Sequence, residues 1–337
     1  MHMKLNCSSL SSLSRPRWPS AIITSTFAPH YTRSFASATM ETKSASMPKL
    51  MYGTAWKKDA TKDLVLAALK AGFRGVDTAA QPRHYNEALV AAGIGAAISA
   101  GIVKRGDVFI QTKFTSISGQ DPDNMPYDPK APLEDQVHAS VASSLRNFTF
   151  GSPEESYIDS LVLHSPLSTL PATMRVWKAL ETYVPHKIRQ LGISNTDLHT
   201  LDQLCSSPDI TVRPACVQNR FYPATQWEVM LRAYCRHRGI MFQSFWTLTG
   251  NPELARSPPV LKLAESARID TARALYALVL GLEGTTILDG TRREAHMKGD
   301  LEVPGLVENF SQSADGQNIW SECLADFKTL IGERPGV

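Results

Sequence analysis

The stretch "DTAAQPRHYNE" (77–87) places a carboxylate, an imidazole and a phenol within eleven residues, directly after the apolar-ending "GFRGV". A carboxyl titrates near pH 4, an imidazole near 6.5 and a phenol near 10, so three proton-handling groups of different strength share one short segment. Two readings are open for Tyr85: a surface aromatic at the start of a helix, or the acid of a proton-transfer site whose first member is Asp77. A phenol is a poor base at neutral pH on its own, and a nearby ammonium lowers its pKa by stabilising the phenolate. The second reading therefore requires a lysine from elsewhere in the chain and a fold that delivers it.

From Pro48 onward the chain alternates short apolar runs with helical patterns, the period of βα units. Eight strands are expected: "KLMY" before Gly53, "GFRGV" before Asp77, "VFIQT" before Lys113, "SLVL" before His164, "IRQLGI" before Ser194, "PACV" before Gln218, "IMFQS" before Phe245 and "TTIL" before Asp289. Helices are expected at Lys62–Ala71, with Leu64, Leu66, Ala67 and Leu69 on the apolar side, and at Val137–Arg146, Met174–Tyr183 and Trp227–His237. Eight strands over about 240 residues fit an α/β fold of the closed (β/α)8 TIM-barrel type, whose chemistry sits at the C-terminal strand ends. An open doubly wound sheet would place a glycine-rich turn after an early strand. The nearest match, "GIGAAI" (93–98), lies in an alanine-rich helical stretch and lacks the third glycine. Barrel closure puts Gly53, Thr54, Asp77, Lys113, His164, Ser194, Asn195, Gln218, Phe245, Gly290 and Thr291 on one rim. Packing needs none of these groups there.

The 337 residues are 43% hydrophobic and 20% charged, the composition of a soluble globular protein, without an apolar run of membrane-spanning length. The first forty residues stand apart, with Lys4, Arg15, Arg17, Arg33, nine serines and no acidic residue before Glu41. That bias is the signature of an organellar transit peptide, and "YTRSFASA" resembles a mitochondrial processing site. Residues 1–46 are accordingly expected to be a leader or a disordered tail and 47–337 the barrel, with a cytoplasmic location if the leader is not genuine. Without those four cations, Lys plus Arg falls one short of the 32 Asp plus Glu, so the formal +3 belongs to the leader. Nothing in the remaining charge points to nucleic acid or membrane as a partner. Five cysteines without a CxxC pair or zinc-like spacing fit reduced thiols.

The ordered blocks "GFRGVDTAAQPRHYNE", "VFIQTKF", "LVLHSPL", "LGISN", "PACVQNRFYP" and "GIMFQSFW" resemble the aldo-keto reductase superfamily from Pro48 to Val303, in particular fungal members that read "YGTAWK" near the start. The resemblance implies reduction of an aldehyde or ketone by NAD(P)H, with Asp77, Tyr85, Lys113 and His164 as the catalytic tetrad and no metal. Tyr85 would give the proton, Lys113 and Asp77 would tune it, and a neutral His164 would orient the carbonyl oxygen. There is one departure. The family tyrosine usually lies five residues after the Asp, where this chain has Pro82, and Tyr85 lies eight after it; His84 is the competing acid.

The cofactor residues implied by the resemblance are Gly53, Thr54, Asp77, Ser194, Asn195, Gln218 and Phe245 toward the nicotinamide, the phenylalanine stacking where tyrosine is commoner. Toward the adenosine they are Gly290, Thr291, Arg292, His296 and Asp300. Many NADPH-dependent relatives have Lys-Ser and a later Arg there; this chain reads "DGTRREAHMKGD", and Arg292 or Arg293 is the expected source of charge for a 2′-phosphate. NADPH is the expected cofactor, with NADH as the alternative. Trp56 is expected to line the substrate pocket, and specificity is expected to vary in the loops 116–132 and 247–259. Two other classes compete: a non-catalytic nucleotide-binding regulatory or redox-sensing barrel, and a metal-dependent barrel hydrolase, which would need an HxH-type pair beside His164.

Overall fold

The computed structural model describes residues 46–333, within one compact unit that spans Thr42–Val337. The expected leader lies outside the described residues. Eight parallel strands close into a barrel in sequence order: β1 Leu50–Gly53, β2 Gly75–Asp77, β3 Phe109–Phe114, β4 Ile158–Leu163, β5 Ile188–Ser194, β6 Cys216–Arg220, β7 Met241–Phe245 and β8 Thr285–Asp289. Each overlaps its expected run, because two-sided burial in a barrel leaves short, nearly continuous apolar strands. Closure is made by β1 on β8, with Leu50 opposite Ile287 and Tyr52 opposite Asp289.

Helices fill the crossovers, among them Thr61–Ala71, Glu87–Ser99, Leu133–Asn147, Leu170–Glu181, Val229–Arg238, Thr271–Leu280 and Glu294–Leu301. The core lies between the strands' outer faces and these helices, where Val65, Leu69, Phe73, Trp177 and Leu278 are fully buried. Two expectations change. The first helix buries Thr61, Val65, Ala68 and Leu69, while Leu64, Leu66 and Ala67 flank that stripe and are only partly covered. The helix expected from Trp227 begins at Val229, because Gln226, Trp227 and Glu228 take left-handed φ values of 51°, 49° and 56°. The "GIGAAI" stretch is helical, as read. A β-carbon on Gly93 would sit 2.7 Å from Lys62 O and 2.9 Å from Val65 Cβ, so this glycine serves close helix packing and not a phosphate turn.

Beyond the barrel, the helix Gly316–Leu330 packs on Pro258–Ala267. The chain then returns Glu333 to the buried Arg232, with Nη1 to Oε2 at 2.7 Å. Among the described residues no helix is long and apolar enough to cross a membrane.

Candidate active site

At the C-terminal ends of the strands lies a pocket of about 970 Å³, within the size of small-molecule and cofactor sites. Its floor is an ion pair. Lys113, wholly buried, donates from Nζ to Asp77 Oδ2 at 2.6 Å and to Thr78 O at 2.8 Å. Desolvation pulls the Lys113 ammonium below the ordinary lysine range, and the Asp77 carboxylate opposes that shift.

Asp77 Oδ1 accepts two further bonds, from Gln111 Nε2 at 2.8 Å and Gln218 Nε2 at 3.0 Å. Gln243 completes the set. Its Oε1 accepts from both Gln111 and Gln218, and its Nε2 donates to Gln111 Oε1 at 3.0 Å. Strand register creates this cluster: Asp77 lies opposite Gln111, and Gln218 opposite Gln243. A buried polar network is tolerable only when its members are bonded to one another, and such a network holds the carboxylate in one place.

The three-residue longer loop does bring Tyr85 to this floor. A turn made by His84 N and Tyr85 N, both bonding Gln81 O, is pinned by Gln81 Nε2 on Gly119 O at 2.6 Å. Asn86 then caps the helix Glu87–Ser99 through Leu89 N at 3.0 Å, so Tyr85 sits just ahead of a fixed helix start. Its ring centroid is 5.1 Å from Lys113 Nζ and 6.0 Å from the His164 ring, edge to face. The structure thus places all four expected residues together. It departs on the phenol's acidity: desolvation, and then the Asp77 charge, raise the Tyr85 pKa above the usual range instead of lowering it. The half-buried ring therefore holds its proton firmly.

His164 bonds Thr115 Oγ1 through Nδ1 at 2.7 Å, which leaves Nε2 for the pocket. Burial, followed by the charges of Lys113, His84 and Arg220, holds its pKa down to about 3, so the ring is neutral at physiological pH. His84, the competing acid, stacks on Trp56 at 3.8 Å between centroids, and its carbonyl accepts from Trp56 N at 2.8 Å. Trp56 is among the residues that line the pocket and is 61% exposed.

Of the expected cofactor residues, Gly53, Asp77, Ser194, Asn195, Gln218, Phe245, Gly290, Thr291, His296 and Asp300 line the pocket. Thr54 is buried behind it, its hydroxyl on Asp77 O at 2.8 Å, where it fixes the end of β2. Arg292 and Arg293 are outside the lining and exposed; Arg292 Nη2 lies 3.5 Å from Lys57 O. From the loop 247–259, Thr247, Leu248 and Thr249 reach the pocket, whereas the loop 116–132 does not.

Several functional residues were not anticipated. Arg220 donates from Nη1 to Asn195 Oδ1 at 2.9 Å and stacks over Trp246 and Phe245 at 4.7 and 5.3 Å. Asn195 Nδ2 also bonds His164 O at 2.9 Å and Ser194 Oγ at 3.1 Å, so its amide orientation is fixed. Lys57 crosses to the end of β8, with Nζ on the carbonyls of Gly290 and Thr291. Burial lowers its pKa to about 8, aided by Arg292 and opposed by Asp289. Strand-end position could have flagged Arg220 and Asp289; no sequence signal marks Gln111 or Gln243.

A closed parallel barrel thus brings a lysine–carboxylate pair, a phenol and a neutral imidazole together at the C-terminal strand ends. The family model for the aldo/keto reductase family matches residues 46–255. Similar curated proteins include prostaglandin F synthase 1 of Bos taurus, 24% identical over 76% of this chain and 83% of that protein. Aldehyde reductase YPR1 of Saccharomyces cerevisiae is 26% identical over 71% of this chain and 75% of its own length. An aldo/keto reductase structure from Brucella melitensis superposes with a TM-score of 0.61 at 21% identity, covering 82% of this chain and 95% of that one. The chain belongs to the aldo/keto reductase family, whose members are NAD(P)H-dependent oxidoreductases acting on carbonyl groups.

Proposed function

We propose that this protein reduces a small aldehyde or ketone to the alcohol with a nicotinamide dinucleotide, Tyr85 giving the proton. The observation that carries this reading is the convergence of Tyr85, His164 and the Asp77–Lys113 pair at one end of the pocket. When bound, the reduced nicotinamide supplies the hydride. Ser194, Asn195 and Gln218 would hold its carboxamide, and Phe245 offers a ring face at the same wall.

In the tautomer in which the Thr115 hydroxyl donates to Nδ1, the neutral His164 carries its proton on Nε2 and can donate it to a carbonyl oxygen. That bond orients the substrate for proton transfer from the Tyr85 hydroxyl. A raised phenol pKa keeps the acid protonated until negative charge develops on the oxygen. Lys113, above the ring, then stabilises the phenolate left behind. Trp56, His84 and Trp246 line the open side and would contact the rest of the substrate.

Aldehyde reductase YPR1 and the glyoxal reductase of Bacillus subtilis, 28% identical over 63% of this chain, support an aldehyde as the first substrate to try. The test follows nicotinamide absorbance with NADPH and NADH against a panel of aldehydes and ketones. Turnover with any of them supports the reading. Tight dinucleotide binding without turnover would instead make the chain a regulatory barrel.

A further inference from the structure

Arg220 is the last residue of β6, and its place in the strand decides where it points. Side chains alternate along a strand, so Arg220 shares a face with Gln218, whose amide bonds Asp77 inside the barrel. It is half-buried and lines the pocket. Its register partner on β7 is Phe245, and the guanidinium lies over the rings of Phe245 and Trp246.

The carboxylates of the pocket wall are engaged with other groups. Asp77 is paired with Lys113 at 2.6 Å and Asp270 with Arg273 at 2.9 Å, while Asp289 and Asp300 are hydrogen-bonded to each other. Among the described residues none pairs with Arg220. Its Nη1 donates to the neutral Asn195 Oδ1 at 2.9 Å, and its Nε and Nη2 have no protein acceptor and are not closed off from solvent. A cation drawn partly out of water is costly unless it is paired, and ring faces offset only part of that cost. The site is complete only with an anion.

The guanidinium also stands beside the reacting end of the pocket. Asn195, which it bonds, donates from Nδ2 to His164 O at 2.9 Å. Its charge is felt at the imidazole, where it adds to burial and to the charges of Lys113 and His84 in holding the His164 pKa down. A carbonyl oxygen on His164 therefore leaves the other end of a small substrate next to an unpaired guanidinium backed by aromatic rings.

Resting on the carbonyl reduction proposed above, we propose that Arg220 selects substrates that carry a carboxylate, so that this protein reduces an oxo acid to the corresponding hydroxy acid. The planar fork of a guanidinium matches the two oxygens of a carboxylate, and the rings of Phe245 and Trp246 hold that plane in place. The carboxylate takes no part in the chemistry: hydride goes to the carbonyl carbon and the Tyr85 proton to its oxygen. Because the contact is made in the ground state and kept in the transition state, it belongs mainly in KM.

The test compares 4-carboxybenzaldehyde and 4-oxobutanoate, each with its own methyl ester, in the full chain at fixed dinucleotide. For at least one pair kcat/KM should favour the acid by at least about tenfold, as expected of a site built to bond a group that the ester lacks. In Arg220→Met that ratio should fall below about threefold, through a higher KM for the acid. Dinucleotide affinity, read by quenching of tryptophan fluorescence, is measured on the same variant. An acid reduced no better than its ester in the unsubstituted chain overturns the inference, a comparison that stands even if the variant does not fold. An unchanged ratio in Arg220→Met overturns it too: with weakened dinucleotide binding the arginine serves the cofactor, and with acid and ester slowed alike it only positions Asn195. Either result leaves the carbonyl reductase reading intact, whereas no turnover of any aldehyde or ketone removes both.

Discussion

Replacing Lys113 with Met isolates the buried ion pair under the pocket. The side chain is matched in length, but the ammonium that donates to Asp77 Oδ2 at 2.6 Å and to Thr78 O at 2.8 Å is gone. Asp77 is 1% exposed, and the donors it keeps, Gln111 and Gln218, both bond Oδ1. Oδ2 becomes an unpaired buried charge. Breaking a buried pair from one side costs about 3–5 kcal/mol, a large part of a total folding stability of about 5–15 kcal/mol. The additional change Asp77→Asn removes the stranded charge while its carbonyl oxygen can still accept from the two glutamines. The double variant should therefore recover at least about 2 kcal/mol relative to Lys113→Met alone, a coupling typical of residues in contact. Urea unfolding of the two single variants, the double variant and the parent, followed by fluorescence, gives the comparison. A double variant no more stable than Lys113→Met would refute the reasoning, because it would show that the lost interaction is not the Asp77 charge.

Three other outcomes follow from the same structure. His164 is held neutral down to about 3 in the fold but protonates near 6.5 when unfolded, so the unfolded chain binds the extra proton and stability falls as pH drops from about 6.5 toward 3; His164→Gln should flatten that part of the pH–stability curve, and parallel curves would contradict the assignment. Glu333→Gln leaves Arg232, 1% exposed, without its carboxylate and should destabilise by about 3–5 kcal/mol in thermal or urea unfolding, with Arg232→Met/Glu333→Gln milder than the single change. If residues 1 to about 37 act as a mitochondrial address, a C-terminally tagged chain should accumulate in mitochondria in shortened form, and a full-length cytosolic product would end that proposal.

Strand positions were legible because each βα unit writes its own signal: an apolar run, then a polar rim residue, then a helical period. Asp77, Lys113 and His164 could be read for the same reason, each standing at or next to a strand end. The amide network was not legible. Gln111 and Gln243 each sit in the middle of an apolar strand, and only the register of neighbouring strands shows that both meet Asp77's side of the barrel interior. Lys57 was hidden by sequence distance, since closure of β1 on β8 brings together segments more than two hundred residues apart. The direction of the Tyr85 shift was missed because a motif shows the lysine beside the phenol but not the desolvation that outweighs it. The helix Thr61–Ala71 shows the limit of pattern alone: its leucines suggested a stripe displaced from the one that Val65 and Ala68 bury.

The central claim is that Tyr85, delivered by a longer loop, is the proton donor. Tyr85→Phe removes one oxygen and keeps the ring that packs edge to face on His164, leaving Ser194, Asn195, Gln218 and Phe245 untouched. Dinucleotide affinity, measured by fluorescence titration, should stay within about twofold, while kcat for the best carbonyl substrate falls by roughly 10²- to 10⁴-fold, the usual loss for a positioned general acid. The fall belongs in kcat because the proton is needed only in the transition state. Normal turnover by Tyr85→Phe, together with an inactive His84→Gln, would contradict the account and move the acid to His84.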